Sequence, residues 1–278
     1  MAFETPKTEN LLSVNLTVGY AGKPPVLHGL RLEIRSGEVL GLVGQSGSGK
    51  STLAMAILGL LEKRTRIEGS LSFQNSDLSQ LSERELRSIR GRTISLVLQS
   101  PLSSLNPALK IWTQLKEAWK AHAAGTNAEC AAAIRAALQS VSLPADDEFL
   151  RKYPSQMSIG QAQRVLIAMA VMHRPALLIA DEATSALDVI TQSEILRLFR
   201  ELNRSTGMAI LYISHDLASV AGICDRIAIL HQGAIVECGA TGQIFTNPQH
   251  EYTRKLMAAL PRIGPSPQYS QTKTAAAH

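Results

Sequence analysis

The chain has 278 residues, 45% hydrophobic and 18% charged, which excludes a disordered polymer and predicts a large core in one domain or two closely joined ones. A formal net charge of +5 fits a surface beside anionic lipid. Aromatic residues are only 4% and no Lys/Arg run is interleaved with them, so no nucleic-acid partner is expected.

Cys130, Cys224 and Cys238 are widely spaced and form no C-x-x-C pair, which argues against a disulfide framework or zinc site and points to a reducing, cytoplasmic setting. The N-terminus MAFETPKTEN lacks the apolar stretch of a signal peptide, and runs such as VLIAMAVM (165–172) are too short to span a bilayer. Any membrane role is therefore expected to pass through a partner.

Residues 11–40 alternate in a strand-like way, with turns at Gly22-Lys23-Pro24-Pro25 and Ser36-Gly37, and predict a small antiparallel sheet. A strand over Glu38–Val43 then runs into GLVGQSGSGKST (41–52). Gly/Ser content alone would suit a flexible linker. The spacing says otherwise: Gly44, Gln45, Ser46, Gly47, Ser48, Gly49, Lys50 and Ser51 follow G-x-x-x-x-G-K-[ST], with Thr52 behind. In that pattern backbone N–H groups turn inward on an anion while the lysine reaches the terminal phosphates. Leu53, Ala54, Ile57 and Leu58 follow at helical spacing, so the loop opens a helix N-terminus.

Farther on, GSLSFQ (69–74) reads as a strand, and Ser82 with Glu85 as a capping box for a short helix ending near Gly91. ISLVLQ (94–99) reads as a buried strand closed by Gln99, and SPLSSLNP as a loop. Residues 111–143 are mainly helical, with a break at Gly125-Thr126-Asn127, and belong to an inserted helical subdomain over about 101–160. From 161 to 240, QAQRVLIAMAVM, ALLIAD, VITQSEILRLFRELNRS and MAILYIS alternate helix and strand, as parallel sheets require. The strands IAILH and AIVECG follow, and the domain is expected to close near 262, with a disordered tail over 263–278.

Two carboxylates, Asp181 and Glu182, end the apolar strand at 177–180, where ligands of parallel sheets sit. Such a pair could merely cap the next helix. Beside a phosphate loop, Asp181 is a candidate to share magnesium with Ser51, and Glu182 to act as general base. Ser158 and Gln161 form an S-x-x-Q capping box, and that helix N-terminus with the Gly160 amide is also a second phosphate clamp. One chain cannot easily bring it and Lys50 to the same phosphate, so a second copy or partner is expected to close the site. His215, after an apolar strand, is by itself most simply a structural residue.

Taken in order, the phosphate loop, Gln99, MSIGQ (157–161), LLIADE (177–182), SALD (185–188) and His215 resemble the ATP-binding subunits of ABC transporters, from Tyr20 to about Leu260. QSPLSSLNP after Gln99, RPALLIADEATSALDVITQSEIL and NPQHEYTRKLMAALP resemble the oligopeptide, dipeptide and nickel importer branch. The resemblance implies an α/β fold: a P-loop NTPase core with a mostly parallel sheet, an N-terminal antiparallel β subdomain and the helical insertion. It implies ATP and Mg2+ as ligands, and as partners membrane-spanning permease subunits, a second ATPase subunit and a periplasmic or extracellular solute-binding protein. The chain would work peripherally at the cytoplasmic face of the inner membrane.

It implies roles as well. Tyr20 would stack on adenine and Lys50 neutralise the β and γ phosphates. Ser51, Gln99 and Asp181 would arrange magnesium, Glu182 would activate water, and His215 would hold it or the γ-phosphate. Ser158, Gly160 and Gln161 would reach the partner's nucleotide, Asp188 would lie at the dimer seam, and Gln99–Pro107 would contact the permease. A soluble ABC-type ATPase uncoupled from transport is the alternative.

Two departures stand out. Ile159 occupies a position where the family's signature has glycine; a β-branched residue resists positive φ and adds bulk, which points to a weakened composite site and an asymmetric pair. No cysteine follows Cys238, so no iron–sulfur cluster is expected.

Overall fold

The computed structural model describes residues 10–259; the tail expected from 263 onward lies outside them. Strands β1 (Asn10–Gly19) and β2 (Pro25–Arg35) form the antiparallel hairpin, and β3 (Val39–Val43) leads to helix α1 (Lys50–Ile57). Next come β4 (Arg66–Phe73), β5 (Ser76–Asp77), α2 (Glu83–Ile89) and β6 (Ile94–Val97). The helical stretch comprises α3 (Pro101–Ser104), α4 (Ile111–Lys120), α5 (Asn127–Ser140) and α6 (Asp147–Arg151). Then follow α7 (Ile159–Val171), β7 (Leu177–Asp181), α8 (Val189–Thr206), β8 (Ala209–Ser214) and α9 (Leu217–Ile223). Last are β9 (Arg226–His231), β10 (Ala234–Ala240), α10 (Thr241–Thr246) and α11 (Glu251–Ala258).

One sheet has the order β2-β1-β4-β5 and is antiparallel; the other runs β10-β9-β3-β8-β7-β6, parallel throughout except where β10 pairs β9. Strands β3, β7 and β8 are buried at every position, the signature of parallel strands covered on both faces. Their period-two alternation splits the interior into two cores. Leu40, Leu42, Leu177, Ile179, Leu211 and Ile213 face α1 and the antiparallel sheet. Val39, Val43, Leu178, Ala180, Ile210 and Tyr212 face the helical layer that includes Val165, Ile195 and Val220. Burial of these alternating side chains, at about 1.5–3 kcal/mol each, holds the sheet between its two layers.

The parallel register brings three strand ends to one edge. Val43 lies beside Ser214, and Asp181 beside Ile213. The phosphate loop, the acid pair and His215 therefore leave the sheet side by side. Gln99 leaves the same edge, since Val97 pairs Ala180.

Several elements differ from their sequence reading. Strand β6 stops at Val97, leaving Gln99 exposed beyond it. The loop reading of SPLSSLNP hides one helical turn, α3, with Pro101 in its first turn, where a missing N–H costs nothing. The break at 125–127 is real, and Thr126 opens α5 with a capping box to Glu129. Helices α6, α9, α10 and α11 have five to eight residues, too short for a clear helical period.

Gly41 marks the tightest approach of β3 to α9: an added Cβ would lie 2.5 Å from Val220 Cγ1 and 2.9 Å from Cys224 Sγ. Gly41→Val is expected to overpack this layer and cost about 1–3 kcal/mol, read as a lower urea midpoint at unchanged m-value.

Candidate functional site

The phosphate loop turns sharply into α1. Gly49 caps the helix at φ 106, a left-handed conformation that only glycine adopts without strain, and a Cβ there would come within 2.5 Å of Leu27 Cδ2. No side chain caps α1 and its first turn carries no acid, so its leading N–H groups remain available to an anion. Lys50 has only 5% of its side chain exposed, and its Nζ donates to the carbonyls of Gly44 (2.8 Å) and Gln45 (3.0 Å). Val26, Ser46, Gly47, Gly49, Lys50, Ser51, Thr52 and Glu182 line the adjoining cavity of about 170 Å³.

Glu182 stands over this loop. Its backbone holds φ 49, unusual for a residue with a side chain, pinned by its N–H donating to Ile213 O (3.0 Å) and its carbonyl accepting from Ser185 N (3.1 Å) and Ser185 Oγ (3.0 Å). Glu182 Oε1 lies 3.9 Å from Lys50 Nζ and 3.4 Å from His215 Nδ1. Burial lowers the Lys50 pKa, with the charges of Glu182 and then Asp181 pulling it back up. Asp181 is buried, and its Oδ1 has no hydrogen-bond partner among the described residues. Burial raises its pKa, the Ser51 hydroxyl opposing.

Two further cavities adjoin Glu182 and His215. One, about 220 Å³, is lined also by Thr184, Ser185, Gln192, Ser214 and Asp216; the other, about 410 Å³, by Val43, Gly44, Gln45, Ser46 and Leu256. Leu256 comes from α11, which Tyr252 anchors by stacking on His231 with ring centroids 3.7 Å apart. Sequence reasoning missed Leu256 and the Thr184, Gln192 and Asp216 wall. Asp216 alone left a signal: its side chain caps α9 by accepting from Ala218 N and Ser219 N.

The remaining sequence candidates sit elsewhere. Tyr20 begins the turn after β1, its carbonyl accepting from Lys23 N at 3.0 Å, a few residues from the cavity wall at Val26. Gln99 is exposed at the shared strand edge. Ser158 caps α7, with reciprocal bonds to Gln161 of 3.1 Å each. Neither Ser158, Gly160 nor Gln161 lines the three cavities around Lys50 and Glu182. The backbone difficulty expected of Ile159 does not arise, because Ile159 is the first residue of α7, outside the positive-φ region, with its side chain 45% exposed. Glycine is demanded one residue later: a Cβ on Gly160 would lie 2.7 Å from Thr191 Cγ2 of α8. Asp188 caps α8, accepting from Ile190 N and Thr191 N.

A lysine-bearing loop at a helix N-terminus, opposed across a parallel sheet edge by a carboxylate and a histidine, defines a nucleotide-hydrolysing cassette of the P-loop class. The ABC transporter family model matches residues 27–185, and the oligopeptide/dipeptide transporter C-terminal region model matches 236–277. The chain belongs to the ABC transporter family. It is 42% identical to the oligopeptide transport ATP-binding protein OppD of Salmonella typhimurium, over 94% of this chain and 80% of that protein. It is 40% identical to the dipeptide transport ATP-binding protein DppD of Bacillus subtilis, over 92% and 78%. The dimeric post-hydrolysis ATP-binding cassette MJ0796, bound to ADP and Pi, superposes with a TM-score of 0.71 at 28% identity, covering 83% of this chain and 98% of that one.

Because burial raises the Asp181 pKa in the fold, its ionised form is disfavoured there relative to the unfolded chain. The stability linked to this group is present below its unfolded value of 3.8 and lost as pH rises through its raised folded value. Asp181→Asn is therefore expected to raise the nucleotide-free melting temperature at pH 7.5 by about 2–4 °C, a difference that shrinks toward pH 4; calorimetry across pH reads both.

Proposed function

We propose that this chain is the ATP-hydrolysing subunit of an importer for dipeptides or oligopeptides, with nickel as the other cargo of the branch it resembles. Lys50, Glu182 and His215 meeting at one sheet edge is the observation that carries the reading, and the C-terminal match to an oligopeptide/dipeptide transporter region supports the cargo. That same match speaks against a soluble ATPase uncoupled from transport.

Lys50 exchanges the carbonyls of Gly44 and Gln45 for the β and γ phosphates, while N–H groups of residues 44–52 cradle them. Tyr20, in the turn between β1 and β2, stacks on adenine. Glu182 Oε1 takes the proton of the attacking water, and His215, 3.4 Å away, orients the water against the γ-phosphate. Magnesium fits here, because a buried carboxylate oxygen without a partner, beside a hydroxyl, is the hard-oxygen set this ion takes alongside phosphates. Ser51, Asp181 and Gln99 would hold it, and bound there it neutralises phosphate charge.

The chain supplies half of each working site. Ser158, Gly160 and Gln161 serve the nucleotide held by a second ATPase subunit, and Asp188 lies at the seam. The ABC domain occupies 1–262, with the helical subdomain at 101–160. Residues 99–107 dock the permease, a role that the exposed Leu102 (47%), with Leu98 (40%) just before the segment, supports. No described helix is long and apolar enough to cross a membrane. Attachment at the cytoplasmic face of the inner membrane thus runs through the permease, with a solute-binding protein delivering cargo and no nucleic acid involved.

Ser158→Ala tests the shared site. ATP binding by the full chain alone is expected to stay within about twofold, while hydrolysis by the assembled transporter falls about tenfold or more. Lys50→Ala, by contrast, is expected to remove ATP binding itself. Equal loss of binding in both variants would contradict the division of labour.

A further inference from the structure

Tyr212 is the third-from-last residue of β8 and is fully buried, yet its hydroxyl lies between the two loops that carry the reactive groups. On one side, Thr184 Oγ1 is 2.9 Å away, two residues after Glu182. On the other, Tyr212 donates to Ser219 Oγ at 3.3 Å, and Ser219 donates to the carbonyl of Asp216 at 2.8 Å, next to His215. Each hydroxyl has one proton to give, so Thr184 must donate to Tyr212, and the bonds run in one direction from the Glu182 turn to the His215 turn. Ser214, on the other flank of His215, joins through its hydroxyl: it accepts from Asp216 N at 2.9 Å and lies 3.3 Å from Ser219 Oγ.

We propose that the Tyr212 hydroxyl is a positioning group that fixes Glu182 and His215 relative to each other. The role rests on the ATPase reading of this site and extends it to a residue with no contact to nucleotide. Glu182 needs such a brace, because its backbone at φ 49 persists only where the surroundings hold it. Thr184, Ser214 and Ser219 are buried too, so a hydroxyl that loses its partner here is left poorly satisfied. The ring itself packs at 6.3 Å from Phe199, a contact that phenylalanine at 212 would keep.

The test measures ATP hydrolysis and nucleotide affinity of the full chain, assembled with permease and partner ATPase, in Tyr212→Phe, Thr184→Val, the double variant and Thr184→Ser. Both hydroxyl-free variants are expected to lose at least about threefold in kcat with KM and ATP affinity within about twofold. The double is expected to be no slower than the slower single, because both cut one chain of bonds, and Thr184→Ser, which keeps the hydroxyl, to retain the parental rate. A parental kcat in Tyr212→Phe, or a loss confined to KM or melting temperature, overturns the proposal. Glu182→Gln runs alongside: if it is inactive while Tyr212→Phe hydrolyses normally, only the positioning role falls. If Glu182→Gln hydrolyses normally, the reading of Glu182 as base fails and takes the positioning role with it.

Discussion

The buried cation of Lys50 is the constraint around which the rest is arranged. A nearly enclosed ammonium must have acceptors on every side. In the free protein it takes two backbone carbonyls of its own loop and the nearby charge of Glu182. In the proposed function those carbonyls are exchanged for phosphate, and the loop's glycines fit that reading by allowing close wrapping. Everything that brings Glu182 to this point, from the β3, β8, β7 strand order to the left-handed backbone at the end of β7, answers to that requirement.

The site is costly to the fold, and its cost is visible. Asp181 is a buried carboxylate with an oxygen that has no partner among the described residues, Glu182 holds a strained backbone, and burial lowers the Lys50 pKa. Cores that are ordinary on both faces of the sheet offset these terms. The same separation appears in the polar network: Tyr212 lies in an apolar strand facing the helical core, while its hydroxyl serves the strand ends above it.

Much of this was legible in the sequence, for local reasons. The phosphate loop announces itself through spacing, and the capping boxes at Ser82 and Ser158 are written in residues three apart and recur in the structure. The parallel core could be read from its continuous apolar runs. What sequence could not supply is register between distant segments: the pairing of Val43 with Ser214 is not written near either residue. Tyr212 therefore read as one more apolar strand residue, and Leu256 went unnoticed within NPQHEYTRKLMAALP because α11 is too short to show a helical period. The positive-φ difficulty expected of Ile159 fails for a related reason. Glycine at its position in related signatures invites a positive-φ explanation, whereas here the position is the exposed first residue of a helix with ordinary helical backbone.

Ser158, Gly160 and Gln161 line none of the three cavities around Lys50 and Glu182, which fits the proposal that this chain lends them to the site of a second ATPase subunit. Ile159 is exposed, and its neighbour Gly160 packs on Thr191 of α8, the helix that opens with the exposed Val189 and Ile190. The most direct test of the whole account is peptide uptake into lipid vesicles containing the assembled transporter, with Glu182→Gln in this chain. The account predicts that ATP still binds while uptake falls below about a tenth of the parental rate, since a missing general base costs about 10²-fold or more in hydrolysis. Uptake at an unaltered rate would contradict it.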